Sequence, residues 1–338
     1  MKTILVTGGA GFIGANFIPY FLQQHPDYHV VNLDVLTYAG NPGNLKEMGG
    51  NASYTFIKGD ICDRTLVEGL FDEYDFFGVV HFAAESHVDN SISGPEAFIR
   101  TNVFGTFQLL DVARKKWLTA PFQYGAGYLT NRFLHISTDE VYGSLGSEGL
   151  FNEETPYAPN SPYSASKASS DLLVRSYFHT YGLNVLTTNC SNNYGPKQHE
   201  EKLIPTIIRN GLSGKLIPIY GDGKNVRDWL YVLDHCKGID NVFHHGRFGQ
   251  TYNIGGRNEK TNNEIARSIC EILDIEKPRP DGKSYKELVK FVQDRAGHDQ
   301  RYAIDASKIE RELHWKAEEN FAGGIVKTVK WYLSQHGY

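Results

Sequence analysis

Tyr163 and Lys167 stand four residues apart, downstream of a run Thr138-Asp139-Glu140. Residues i and i+4 share one face of a helix. An ammonium beside a phenol favours the phenolate and lowers the phenol's pKa from its usual ~10. On this reading Lys167 makes Tyr163 a base near neutral pH. Asp139 and Glu140, at the end of a strand, add two further proton-transfer groups. A simple dehydrogenase needs one acid/base and a hydride acceptor, so three such groups give the means to do more than oxidise. The plain alternatives are a chance helical pair and a solvated acidic turn.

The run Gly8-Gly9-Ala10-Gly11-Phe12-Ile13-Gly14 weighs against those alternatives. It follows a strand-like segment and opens a helical one. Glycines at 8, 11 and 14 let the backbone approach a pyrophosphate at a helix N-terminus, where free N–H groups and the dipole favour anions. The spacing G-x-x-G-x-x-G suits the short-chain dehydrogenase branch of the dinucleotide fold. Asp34 ends the next strand and can accept both adenosine ribose hydroxyls while repelling a 2′-phosphate, which favours NAD over NADP. Asp60 follows the third strand, where it can meet the adenine edge or cap a turn. His87, in Ala83-Ala84-Glu85-Ser86-His87 after the fourth strand, sits where ligands bind in such sheets; the competing reading is an ordinary loop histidine.

The elements that must hold these residues alternate. Strand candidates are Thr3–Thr7, Val30–Asp34, Tyr54–Lys58, Val79–Ala83, Phe133–Ser137 and Val185–Cys190. Their nearly continuous apolar runs are those of strands buried on both faces. Helical stretches lie between, as at Phe12–Gln24 and Phe98–Lys116. The fold expected is α/β, a Rossmann-like doubly wound parallel sheet with a smaller α/β C-terminal substrate domain. Ser161 and Pro162 open the helix of Tyr163, and Gly182 closes it. Residues 1–190 plus about 230–253 form the first expected domain, and 191–229 plus about 254–338 the second. Thr119–Asn131 and Lys277–Lys283 read as surface loops.

Composition narrows the function. The chain has 338 residues, 41% hydrophobic, and a formal net charge of −5, which argues against nucleic-acid or anionic-membrane partners. Its four cysteines, Cys62, Cys190, Cys236 and Cys270, are scattered and form no C-x-x-C, so neither a zinc motif nor a redox motif is expected. No metal is expected in the chemistry. The first residues run straight into a strand, and no long apolar stretch follows; the expectation is a cytoplasmic protein.

The chain resembles the extended short-chain dehydrogenase/reductase superfamily and, within it, the nucleotide-sugar 4,6-dehydratases. The resemblance rests on residues 6–14, 83–89, 137–143, 161–167, 190–196, 201–205, 225–229 and 294–299. Thr138-Asp139-Glu140 discriminates, because related 4-epimerases keep the tyrosine and lysine but lack this acid pair. The resemblance implies NAD contacts from Phe12, Ile13, Asp34, Thr37, Asp60, Ile61, Ala83, Ser86, Thr101, Tyr163, Lys167 and Asn193. It implies nucleotide-sugar contacts from His87, Thr138, Asn192, Lys202, Leu203, Pro218, Tyr220, Arg227, Asn262, Arg295 and His298. Lys202, Arg227 and Arg295 would supply the local positive charge a pyrophosphate needs.

The implied reaction oxidises the sugar at C4 through Tyr163, with Thr138 on the hydroxyl. Glu140 then removes the C5 proton and Asp139 protonates the departing 6-hydroxyl. The substrate favoured is dTDP-glucose, with UDP-glucose as the alternative. A nucleotide-sugar 4-epimerase is the competing activity, and a non-catalytic NAD-sensing protein a more distant one. A homodimer through the Phe98–Lys116 and Tyr163–Tyr181 helices is expected from the family.

Overall fold

Alternate residues of a strand face opposite sides, so a strand such as Ile4-Leu5-Val6, apolar throughout, needs cover on both. The computed structural model, which describes residues 1–294 and 298–335, provides it. Lys2–Thr7 (β1), Tyr28–Asp34 (β2), Tyr54–Lys58 (β3), Phe76–His81 (β4), Arg132–Thr138 (β5), Val185–Cys190 (β6) and Thr251–Ile254 (β7) form one parallel sheet. Ile4 and Val6 pack on one face with Phe17, Ile239 and Phe243. Leu5, Val31 and Leu33 pack on the other with Leu109, Leu110 and Val174.

The order across the sheet is β7-β6-β5-β4-β1-β2-β3. The chain builds outward from β1 in one direction, then returns to its other side with β4. That reversal opens a crevice at the carboxyl ends of β1 and β4, where open α/β sheets bind ligands. β1 pairs with β2 from Lys2 opposite Tyr28 to Thr7 opposite Leu33, so the glycine loop and Asp34 leave the sheet side by side.

A second group of elements builds against that crevice. Val226–Tyr231 pairs with Asn192–Tyr194, Glu259–Thr261 and Arg301–Tyr302, and Ile217–Tyr220 pairs with Val289–Val292. The helices Leu203–Leu212, Asn262–Glu276 and Phe321–Gln335 bury Ile207, Ile208, Ile265, Ile269 and Val329 in a separate core.

Several expectations need refinement. The fourth strand runs Phe76–His81, so Ala83 lies in the loop beyond it. The helix expected at Phe98–Lys116 begins at Pro95, passes through a π-helical turn at Ile99–Gly105 and continues as Thr106–Trp117. The wide turn includes Asn102, whose side chain bonds both backbone groups of Glu85 and the hydroxyl of Ser166. Within Thr119–Asn131, read as a loop, Leu118–Ala120 and Gln123–Tyr124 pair as a small antiparallel ladder. No helix among the described residues is long and apolar enough to cross a membrane.

Pro19 lies inside the first helix, Phe12–Gln24. Proline has no N–H, so the carbonyl four residues back, that of Ala15, loses its helical donor. Lys197 Nζ donates to that carbonyl instead, at 3.1 Å, and pairs with Glu47 at 2.6 Å. Lys197→Met should therefore destabilise the fold by about 1–2 kcal/mol. Adding Pro19→Ala, which restores the helical donor, should recover part of that loss in urea unfolding. A strictly additive double variant would mean that the lysine does not stand in for the missing N–H.

Candidate active site

The glycine loop is shaped by what crosses it. Gly8 has φ +72°, and a Cβ there would lie 2.6 Å from the backbone of Ala83. A Cβ on Gly14 would lie 2.6 Å from Gly9 Cα. Loop, strand end and helix start therefore meet at distances only glycine permits. Asp34 fastens the loop: its Oδ2 accepts from Ala10 N at 2.9 Å and its Oδ1 from Leu36 N at 2.8 Å. Asp60 Oδ1 accepts from Cys62 N at 2.8 Å, so it caps its own turn while also facing the crevice.

These elements enclose a cavity of about 350 Å3. Gly8, Gly11, Phe12, Ile13, Gly14, Asp34, Thr37, Asp60, Ile61 and Ala83 line one end. Ser86, Thr101 and Asn193 line it as well, and so do Thr138, Asp139, Glu140, Tyr163 and Lys167. A cleft that reaches from a glycine cradle to a proton-transfer cluster fits an extended dinucleotide with its reactive end at Tyr163.

The proton-transfer groups come from two elements. β5 ends at Thr138, whose hydroxyl accepts from Glu140 N and caps the short turn Asp139–Tyr142. Tyr163 and Lys167 come from the helix Pro162–Tyr181, opened by a Ser161/Ser164 capping box and closed by Gly182 at φ +73°. Asp139 is 1% exposed, and its Oδ2 has no hydrogen-bond partner among the described residues. Burial, then Glu140 and Asp228, hold the Asp139 carboxyl well above the usual carboxylate range. It is a protonated acid beside an acceptor-rich neighbour.

The electrostatics of Tyr163 reverse the expectation. Burial and the charge of Glu140 push its phenol well above the ordinary value, with the Thr138 hydrogen bond opposing. Lys167 does not offset this. Its Nζ donates to the Ile136 carbonyl at 2.8 Å, and burial pushes its own pKa down. Shared helix face correctly placed the pair in one cleft, but dryness outweighs the attraction.

Sequence reasoning missed the groups behind this cluster. Asp171, one turn beyond Lys167, accepts from Ser137 Oγ at 2.8 Å and lies 3.1 Å from His135 Nε2. Burial pushes the Asp171 carboxyl up and the His135 and His81 imidazoles down. Thr106 donates to the Asn102 carbonyl at 2.6 Å, so its oxygen accepts from His81 Nε2 at 2.9 Å. His81 Nδ1 then accepts from Thr7 Oγ1 at 2.7 Å, and that oxygen accepts in turn from Ala83 N at 3.3 Å. The only sequence signal was polar residues inside otherwise apolar strands. Gln198, His199 and Glu201 also line the cavity and were not singled out.

The expected sugar-nucleotide residues fall into two sets. Thr138, Asn192 and Lys202 line the cavity, and Lys202 Nζ donates to the Ser86 carbonyl at 3.0 Å. Leu203 begins the helix that Lys202 precedes, and His87 Nε2 lies 3.8 Å from Glu201 Oε2. Pro218, Tyr220, Arg227, Asn262 and His298 do not line it. Pro218, Tyr220 and Arg227 sit on the small sheets, Asn262 opens the helix Asn262–Glu276, and His298 lies outside any strand or helix, before the strand Arg301–Tyr302. Arg227 is buried, donates to the Asp299 carbonyl at 2.8 Å and lies 4.3 Å above the Tyr302 ring, while its charge is felt at Asp139. Tyr220 meets the His298 ring edge-on at 6.4 Å. Arg295 lies outside the described residues.

Known proteins share this arrangement. The profile of the family described as GDP-mannose 4,6 dehydratase matches residues 5–328. A dTDP-glucose 4,6-dehydratase of Xanthomonas campestris pv. campestris is 56% identical over 334 residues, 99% of this chain and 94% of that one. The crystal structure of a dTDP-glucose 4,6-dehydratase from Streptomyces venezuelae, with NAD and TYD bound, is 45% identical with a TM-score of 0.90, covering 99% of this chain and 98% of that one. One from Bacillus anthracis, in complex with NAD, is 46% identical with a TM-score of 0.87, covering 100% and 98%.

The raised carboxyl of Asp139 has a consequence for stability. In the unfolded chain it ionises near pH 3.8, while in the fold it keeps its proton to well above that. Its contribution is therefore fully present below pH 3.8 and is lost as pH rises toward the folded pKa. Asp139→Asn, which cannot ionise, should match the native melting temperature near pH 4 and exceed it by about 2–4 °C at pH 7. Melting curves at the two pH values check this; a constant difference would mean that Asp139 is charged in the fold.

Proposed function

Because the chain belongs to the dTDP-glucose 4,6-dehydratase family, we propose that this cleft converts dTDP-glucose to dTDP-4-keto-6-deoxyglucose and water. The enzyme is a hydro-lyase with NAD as its cofactor. The Gly8–Gly14 loop, held against Ala83 and Gly9 at distances that exclude a Cβ at Gly8 and Gly14, fits the pyrophosphate, and Asp34 fits the adenosine ribose. When bound, NAD would supply the acceptor for a hydride from C4 of the sugar and the donor of that hydride to C6.

The chain's residues divide the proton transfers. Tyr163 takes the 4-hydroxyl proton while Thr138 holds that hydroxyl. A cationic ring bound in the cleft would oppose the burial that raises the Tyr163 phenol, so proton removal by Tyr163 would be coupled to cofactor binding. Lys167, fixed on the Ile136 carbonyl and lining the cleft, would hold the nicotinamide ribose. Oxidation leaves a 4-keto group that acidifies the C5 proton. Glu140 removes that proton, Asp139 gives its own to the 6-oxygen, and water departs. After hydride reaches C6, Glu140 returns the proton to C5. General acid–base groups of this kind typically contribute about 10²–10⁴-fold each.

Asp139 is the observation that carries the reading. A carboxylic acid kept protonated, with one oxygen unpartnered, suits a donor to a leaving hydroxyl. An epimerising site has no departing hydroxyl to protonate. The remaining assignments rest on this reading. His87, Asn192, Lys202, Leu203, Pro218, Tyr220, Arg227, Asn262, Arg295 and His298 would receive the sugar nucleotide. Residues 1–190 with about 230–253 would serve the cofactor, and the rest the sugar nucleotide. Exposed Ile99, Phe104, Phe107 and Leu172 on the 95–117 and 162–181 helices support pairing of two copies there. Free, buried cysteines suit a reducing compartment, and we place the reaction in the cytoplasm.

Incubation with dTDP-glucose should give a product one water lighter, whereas an epimer would keep the substrate's mass. UDP-glucose in a parallel reaction measures the base preference. In single turnover, Tyr163→Phe should form no NADH. Asp139→Asn and Glu140→Gln should form NADH that decays at least about 100-fold more slowly than in the native enzyme. Glu140→Gln should also slow exchange of the C5 proton with deuterated solvent. Product formation at native rates by both acid-pair variants would end the dehydratase assignment of that pair.

A further inference from the structure

His25, Asp240 and His244 form a cluster on the sheet face covered by the first helix, apart from the cleft lining. His25 caps the C-terminus of the Phe12–Gln24 helix, and Asp240 and His244 lie in the last turns of Val232–His245. Asp240 Oδ1 lies 2.9 Å from His25 Nε2 and 2.8 Å from His244 Nδ1. The three donor atoms all lie within 4.8 Å of one another. From this we propose a site for one divalent transition-metal ion of the zinc class, held by His25 Nε2, Asp240 Oδ1 and His244 Nδ1, with water completing the shell.

The donor set and the surroundings agree. Two imidazoles and a carboxylate suit zinc, nickel or cobalt better than magnesium or calcium. Tetrahedral donors about 2.1 Å from a zinc ion stand roughly 3.4 Å apart, so the two short contacts need to open by only about half an ångström. The outer partners are in place. His244 Nδ1 donates to the Asp240 carbonyl at 3.0 Å, so it must give up that proton to bind the ion; Tyr28 Oη, 3.2 Å from Nε2, can then accept from the proton on that nitrogen. Tyr20 Oη approaches Asp240 Oδ2 at 3.4 Å. His25 is pinned by its N–H to the Phe21 carbonyl and by the turn from its own carbonyl to Tyr28 N. Two helices end at the cluster, and their carbonyl termini favour a cation.

The neighbouring cations do not close the site. Arg132 donates to the Phe243 and His244 carbonyls, and Lys2 lies over the rings of Tyr28 and Phe77. His25 and His244 stack at 4.4 Å and retain about a fifth to a quarter of their side-chain exposure, so an ion can enter from solvent. Such an ion would clip the C-terminal ends of two helices that pack on one sheet face. It is structural and takes no part in the transfer of hydride or protons.

The test uses the full-length protein with its NAD, dialysed against a chelator and then titrated with zinc chloride. Metal analysis after equilibrium dialysis should give one zinc per chain. Zinc in large excess over its dissociation constant should raise the melting temperature by about 3 °C or more. Cobalt chloride should give the visible absorption of a four-coordinate ion. His25→Gln and Asp240→Asn should each weaken zinc binding at least 10-fold. His245→Gln, beside the cluster but outside it, should bind as the native protein does. His25 is only half-buried and His245 is exposed, so both variants should fold, and melting curves without metal verify it. Native binding no tighter than that of His25→Gln overturns the proposal. So does zinc that survives both cluster variants, because the cleft pair His199 and Glu201 would then be holding it.

Discussion

An ammonium group without water must be held by whatever dipoles and charges the fold can bring to it. Lys167 imposes that demand at the centre of this protein. It is 4% exposed, bonded to the Ile136 carbonyl at the end of β5, with Asp171 one turn away on its own helix. A buried charge of this kind costs several kcal/mol unless partners satisfy it. The partners fix the register of the helix Pro162–Tyr181 against β5, and with it the position of Tyr163. Asp171 must be satisfied in turn, and it accepts from Ser137 Oγ with the His135 ring close by. A second set of bonds runs from His81 through Thr7 to the loop at Ala83, where the cofactor face begins. The His135 and His81 rings meet at 5.3 Å, so ring packing joins the proton-transfer cluster to the bonds that reach the dinucleotide cradle.

The same dryness governs the chemistry. Tyr163, Asp139 and Lys167 are all displaced toward their neutral forms, because burial is the largest influence on each. Neutral groups in a dry cleft respond strongly to any charge that arrives, since little solvent screens it. A cofactor that brings a positive ring, and a substrate that develops an oxyanion, then set the protonation states in sequence. Asp139 beside Glu140 extends the principle to the acid pair, where two adjacent carboxyls cannot cheaply ionise together.

The parts of this arrangement that were legible in the sequence share a local cause. Glycine spacing, apolar strand runs, the Ser161-Pro162 start and the Gly182 stop each act within a few residues, and they stand where the pattern put them except for the fourth strand, which runs Phe76–His81 rather than Val79–Ala83. The parts that were not legible depend on distant partners. The π turn at Ile99–Gly105 brings in Asn102, whose partners are Glu85 and Ser166. The phenol's pKa depends on how far water is excluded, which helix spacing does not encode. Pro218, Tyr220, Arg227, Asn262 and His298 came from resemblance alone, and these five are not among the residues that line the cavity. His25 and Asp240 lie 215 residues apart, and nothing in the spacing joins them.

The bond from Lys197 to the Ala15 carbonyl also orders events in time. It spans 182 residues, and the first helix cannot complete its own backbone without it. At roughly 5–20 residues per second, a ribosome exposes the Phe12–Gln24 helix on the order of 10–40 s before residue 197 is made. The nascent N-terminal unit therefore waits with an open carbonyl in the middle of its cofactor-facing helix. The unit is sealed only when the segment beyond β6 arrives, so the cradle for the dinucleotide matures late although its residues are translated first.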